Sequence, residues 1–206
     1  MDPRLRDAAQ RAIGFMPDDE GMALYDAVLR AAPLGPIVEI GSYCGKSTLY
    51  LAAAVRDSIA DAVVFSIDHH RGSEEHQPGE KYHDSRLVDS EGRVDTLPVF
   101  RDTIERAGVG DVVVGVVGHS HVVAQAWATP LGVVFIDGGH SMETTQRDYD
   151  GWSRHVVTGG LLAIHDVFPD PEEGGRPPFE IYRQAMESGR FEELSEQGSL
   201  RVLRRS

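Results

Sequence analysis

Two rhythms of apolar residues alternate along the chain. Short apolar runs, "PIVEIG" (36–41), "AVVFSID" (62–68), "VVVGVVG" (112–118), "GVVFIDGG" (132–139) and "GGLLAIHDV" (159–167), read as strands buried on both faces, which have no polar side to show. Between them lie segments with helical spacing: 4–14, 46–58, 94–108, about 120–128 and 141–156. A further helix follows Pro17, capped by Asp18, with Met22, Leu24, Tyr25, Val28 and Leu29 roughly on one face. The tail "FEELSEQGSLRVLRR" alternates around "EQGS" as a hairpin. Strands alternating with helices predict an α/β fold, a Rossmann-like, mostly parallel seven-stranded sheet with a C-terminal antiparallel hairpin. Residues 1–206 read as one domain, with N-terminal helices over 1–33. Segments 69–92 and 169–178 are irregular, polar and placed after strand ends, where such sheets bind ligands; both are candidate lids.

Charge narrows the partners. Lys plus Arg number 20 against 33 Asp plus Glu, a formal net charge of -13. Such a surface repels phosphate backbones, so neither nucleic acid nor an anionic membrane is expected as a partner. The lone Cys44 cannot form an internal disulfide, the N-terminal stretch lacks the apolar core of a signal peptide, and the run "LYLAAAV" is far short of a membrane span. The expectation is a cytoplasmic protein acting on a small molecule or oligosaccharide.

The stretch "EIGSYCGKS" (39–47) nearly spells two nucleotide-binding loops. A phosphate-binding P-loop needs four residues between its first glycine and the Gly-Lys pair, whereas Gly41 and Gly45 enclose three, and Glu39 would sit beside the anion. S-adenosylmethionine has no phosphate and carries a cationic amino-acid end. Gly41 and Gly45 would let the backbone approach its methionine portion, and Glu39 would interact with the ammonium. Asp68, ending the second strand, is placed to accept both ribose hydroxyls.

Residues 37–48 resemble the first motif of class I S-adenosylmethionine-dependent methyltransferases, and "EIGSYCGKS" is especially similar to the loop of catechol O-methyltransferases and other small metal-dependent O-methyltransferases. The resemblance runs over about residues 36–168. It implies cofactor contacts from Glu39, Gly41, Ser42, Tyr43, Gly45, Ser47, Asp68, His69 and Asp137, and from His119 and Ser120 of "VGHS" near the adenine. "FIDGGH" matches the motif whose aspartate binds metal, implying Asp137, and "LLAIHDV" matches the strand end that completes the metal site, implying His165 and Asp166. "IDGGH" is closer to the bacterial sugar O-methyltransferases of macrolide tailoring, and the whole chain resembles actinobacterial members of that branch, including those acting on mannosides.

The chemistry is consistent with this. A sugar hydroxyl must lose its proton as it attacks a methyl group, and a divalent cation lowers its pKa. Asp137 and Asp166 suit magnesium; an imidazole at His165 tilts the site toward manganese, or bridges through water. His140, three residues past Asp137 and matching a family position that carries a base, is the catalytic base expected. His69, His70, His76 and His83 lack the tight spacing of a zinc site and read as a polar lid. The polar loops favour a carbohydrate acceptor over a flat catechol, and the N-terminal helices and lid offer surface for a homodimer. A P-loop phosphotransferase and a non-catalytic S-adenosylmethionine-binding module remain as alternatives from other classes.

Overall fold

The computed structural model describes residues 1–170 and 175–206. Helices α1 (Pro3–Arg11) and α2 (Asp18–Ala31) precede β1 (Ile37–Ile40), α3 (Lys46–Asp57), β2 (Val64–Asp68), α4 (Leu97–Ala107) and β3 (Val113–Val117). The chain continues through α5 (Ser120–Ala126), β4 (Leu131–Ile136), α6 (Met142–Trp152), β5 (Val156–Ile164), α7 (Pro177–Glu187), β6 (Phe191–Gln197) and β7 (Leu200–Arg205). These form a sheet of order β3-β2-β1-β4-β5-β7-β6. Strands β1 to β5 pair in parallel, while β7 runs antiparallel to both β5 and β6. The α/β, Rossmann-like arrangement with a C-terminal antiparallel hairpin is as the apolar pattern predicts.

The order puts the chain's first strand in the middle. From β1 the path runs outward to β3 and returns to β4 on the other side, so the loops after β1 and β4 diverge and leave a crevice, where open α/β sheets bind ligands. Two cores hold the sheet. One packs Leu24, Leu49, Tyr50 and Phe100 from α2, α3 and α4 against Val133 and Phe135. The other packs Ala124, Tyr149, Trp152 and Ile181 from α5, α6 and α7 against Val38, Val134 and Ile136. Alternation along β4 sends successive side chains to opposite cores, which is why its sequence has no polar face.

Three local expectations need correcting. Pro17, not Asp18, takes the cap position of α2; Asp18 is its first residue, and its carboxylate accepts hydrogen bonds from the Tyr50 hydroxyl at 2.9 Å and from Arg6. Helix α7 was not expected: Pro178, Ile181 and Ala185 bury one face, but the preceding "GGRPP" reads as loop. Prolines 177 and 178 of the expected second lid form the first turn of that helix, where a missing N–H costs nothing. The rest of this lid includes residues 171–174, which lie outside the described residues. Trp127 follows α5 as its cap rather than lying within it. The first lid is folded, with short helical turns at Glu74–His76 and Ser85–Leu87, and is tied down by the Thr96 N–H donating to the His70 carbonyl at 3.2 Å. Among the described residues no helix is long and apolar enough to cross a membrane.

Candidate active site

The loop after β1 is built for close approach. At Gly41 (φ +86°) a side-chain carbon would lie 2.2 Å from the Asp137 carbonyl oxygen, so only glycine lets the ends of β1 and β4 touch. Tyr43 (φ +46°) continues the tight turn, and its N–H donates to Asp68 Oδ2 at 2.8 Å. Glu39 is fully buried beneath this loop, where Ser47 Oγ and Thr48 Oγ1 each donate to it at 2.6 Å. Burial pushes its pKa up to about 7, against those two hydrogen bonds. Two sequence expectations change here. Glu39 lies under the loop rather than on a cavity wall, and Gly45 caps α3 against Phe100 and Thr103, also off the walls. The P-loop reading loses its footing too: the hydroxyls that would serve a nucleotide's magnesium are given to Glu39.

One cavity opens beside β2. Asp68, His69, His119, Ser120 and Gly41 line it, which brings together the residues expected at ribose and adenine. Each Asp68 oxygen accepts one backbone N–H, from Tyr43 and, at 2.7 Å, from His70, leaving lone pairs for two further hydroxyl donors. The His69 and His119 rings lie 4.8 Å apart at the rim. Ser120 is less free than expected, because its hydroxyl donates to Asp148, a carboxyl whose pKa burial pushes up to about 6.

A second cavity shares Gly41, Tyr43, Ser73, His76, Asp137 and Gly138 with the first and ends on an acid–imidazole cluster. His165 Nδ1 donates to Asp137 Oδ1 at 3.0 Å and Nε2 to Glu20 Oε2 at 2.6 Å. His140 Nε2 lies 3.1 Å from Asp166 Oδ2, and Nδ1 lies 3.1 Å from Glu75 Oε1. Burial disfavours both charged rings, yet the carboxylates outweigh it: His140 rises to about 9 and His165 well above its ordinary value. Burial likewise raises Asp137 against the pull of His165, whereas for Asp166 the hydrogen bonds from His140 and His165 win over burial and lower it. Asp166 holds this place in a left-handed conformation (φ +56°), an uncommon one for a non-glycine residue.

The donor set suits a divalent cation. Asp137, His165 and Asp166 each offer a ligand atom within 4.8 Å of the others, the one such group among the described residues, so the four lid histidines are not gathered into a site. Four carboxylates, Glu20, Glu75, Asp137 and Asp166, face two imidazoles, so the cluster remains anionic even with both rings protonated. Glu20 on the outer nitrogen of His165 is the carboxylate partner that turns a ring's other nitrogen toward a metal.

Sequence reasoning missed Glu20, Glu75 and Asp148, and with them the character of the walls. Ile13, Phe15, Met16, Tyr43, Tyr82 and Phe168 line the second cavity, and Phe15 meets Tyr43 and Tyr82 at 5.7 and 5.2 Å between ring centres. The polar lid segments therefore do not set the character of this cavity, because its apolar wall comes chiefly from residues 13–16, ahead of the sheet. One signal could have found Glu20: it precedes Leu24 and Val28 by four and eight positions, an acid on the apolar stripe of α2.

Residues 38–167 match the family described as Methyltransferase domain, and the chain belongs to that family. Solved structures share the fold across the chain. The O-methyltransferase TomG from Streptomyces achromogenes, involved in tomaymycin synthesis and bound to SAM, has a TM-score of 0.63 at 17% identity, covering 100% of this chain and 91% of its own. An O-methyltransferase from Bacillus cereus in complex with SAH gives 0.64 at 18% identity, covering 100% and 92%. The SAH-bound methyltransferase PaMTH1 of Podospora anserina gives 0.61 at 15% identity, covering 100% and 89%.

Proposed function

We propose that the protein transfers a methyl group from S-adenosylmethionine to a hydroxyl of a carbohydrate, one of a vicinal pair, with a divalent cation, magnesium or manganese, held by Asp137, Asp166 and His165. The observation that carries this reading is the pair of cavities meeting at Gly41, Tyr43 and Asp137: one presents Asp68 for a ribose, the other ends on the acid–imidazole cluster. Bound there, the cation would supply the Lewis acidity that lowers the pKa of an acceptor hydroxyl. His140 is the base. In the ligand-free chain Asp166 and Glu75 brace it in its charged form, so it becomes a proton acceptor when the charge of Asp166 is engaged elsewhere. Ser42 in the loop after β1, with Lys46 and Ser47 at the start of α3, lines the second cavity and would face the methionine end of the cofactor.

The carbohydrate reading draws on a mixture of surfaces. Rings of Phe15, Tyr43 and Tyr82 offer platforms for the C–H faces of a pyranose, while Ser73, Glu75 and His76 supply polar partners for its hydroxyls. The same rings favour a second reading, a catechol acceptor, which also presents vicinal oxygens. The test is S-adenosylhomocysteine release across mannosides, glucosides and catechols, with and without chelator. A mannoside or glucoside should have the higher specificity constant, and chelator should abolish turnover. Catechols ahead by tenfold would overturn the carbohydrate reading, and cofactor binding without turnover of any acceptor would leave a binding module.

A further inference from the structure

We infer that His76, on the loop after β2, is an acceptor-binding residue that donates a hydrogen bond through Nε2–H to an oxygen of the molecule being methylated. The inference rests on the second cavity being the site of methyl transfer. Its starting point is a proton count on one ring. The backbone N–H of Ser73 donates to His76 Nδ1 at 3.2 Å, and the Ser73 hydroxyl lies 2.8 Å from the same atom. A backbone N–H can only donate, so Nδ1 accepts and the neutral ring carries its proton on Nε2. Burial keeps the ring neutral, lowering its pKa from the ordinary value.

That Nε2–H is buried and has no partner in the protein. Buried donors almost always find an acceptor, and an orphan beside a functional cavity asks for one from outside the chain. His76 lines both cavities, at the wall they share. Its ring cannot swing freely to seek a different partner: it stacks on Tyr43 at 4.9 Å and 29° and lies 5.9 Å from Phe15. The adjacent residue, Glu75, reaches His140 at 3.1 Å, so consecutive side chains of one short turn address the base and the acceptor. In the proposed complex the methionine carboxylate of the cofactor would have a different address, at Lys46 and the first amides of α3. The loop is thereby a specificity element, selecting molecules that place a hydrogen-bond acceptor against the Tyr43–His76 stack.

The test pairs two variants with two ligands in the full-length protein. His76→Phe keeps a ring for the stack and removes the N–H; His76→Gln restores a donor without the ring. With the better of the mannoside and catechol acceptors, His76→Phe should raise KM tenfold or more, and His76→Gln should recover part of that loss. S-adenosylhomocysteine affinity by calorimetry should stay within twofold for both, which also certifies folding. A readout independent of turnover is the ring nitrogen signal of His76 in labelled protein, which should shift when acceptor is added to the S-adenosylhomocysteine complex. A tenfold loss of S-adenosylhomocysteine affinity with an unchanged KM would assign Nε2–H to the cofactor and overturn the inference. An unmoved ring signal would overturn it as well. Absence of turnover by the parent protein, with the ring signal still responding to acceptor, would sink the proposed reaction and leave the His76 contact standing.

Discussion

Glu20→Ala should cost the fold about 3–5 kcal/mol, the range for removing one partner of a buried ion pair. The carboxylate is 5% exposed and accepts three hydrogen bonds, from His165 Nε2 at 2.6 Å, the Ser199 N–H at 2.8 Å and Ser199 Oγ at 3.1 Å. Without it the Nε2–H of a charged imidazole, still paired to Asp137 through Nδ1, and a backbone N–H stay buried with no acceptor. The amide alone accounts for about 1–3 kcal/mol and the ring for the remainder. In a chain of this size 1 kcal/mol moves the melting temperature by about 2–4 °C, so a fall of roughly 10 °C is expected. The assay is urea unfolding at neutral pH, followed through the fluorescence of buried Trp152, with chelator present to isolate the protein's own groups. Gly198→Ala probes the same clamp from the other side. Gly198 has φ +53°, and a side-chain carbon there would lie 2.1 Å from Glu20 Oε1, so this variant should also destabilise. A Glu20→Ala protein within about 1 kcal/mol of the parent would refute the reasoning, since the penalty for a stranded buried charge would then be missing.

Three further outcomes are expected. Asp68→Ala should weaken S-adenosylhomocysteine binding by about 2–4 kcal/mol in calorimetry, as for lost charge-assisted hydrogen bonds; unchanged affinity in a folded variant removes Asp68 from the site. His140→Ala should leave that affinity nearly intact and lower turnover by about a hundredfold, as for a lost general base, and in the parent the ring should titrate near its raised value of about 9 under chelator and lower with magnesium added. Wild-type turnover by the variant would place the base elsewhere. Glu39 has a folded pKa of about 7 against an ordinary 4.5, so its contribution to stability is full below 4.5 and is lost as pH rises through about 7. Glu39→Gln should therefore gain in melting temperature over the parent between about pH 5 and pH 8, and a constant difference across that range would count against a buried, raised carboxyl.

The sheet was legible because its strands are written in apolar letters: β1 and β4 are buried on both faces, as expected, whereas β3, at the edge of the sheet, leaves Val114 and Val117 exposed, a correction to the expectation of burial on both faces. Helix α7 escaped because its first turn is written in prolines, which read as loop until the helix behind them is seen. Position at a strand end pointed to Asp68, the family resemblance to Asp137, His165 and Asp166, and both together to His140, since strand ends carry ligand-facing residues. Spacing does not say which groups lie one layer below the loop, so Glu39 was assigned to a ligand when two hydroxyls of α3 already hold it. Glu20 and the Phe15 wall reach the site from 145 and 122 residues before His165 and Asp137, a juxtaposition set by packing of the N-terminal helices rather than by any local pattern.

The wall shared by the two cavities divides the lining into parts with different freedom to change. Gly41, Tyr43 and Asp137 border both cavities where these meet, so a substitution there disturbs two ligands at once. Ile13, Phe15, Met16, Tyr82 and Phe168 border only the second and hold none of the charged groups in place. Drift at those five positions can remodel the acceptor's shape while the nucleoside cavity and the acid–imidazole cluster stay intact. A duplicated copy of such a gene has a short route to a new acceptor, through residues lying before the first strand, in the first lid and after the fifth strand.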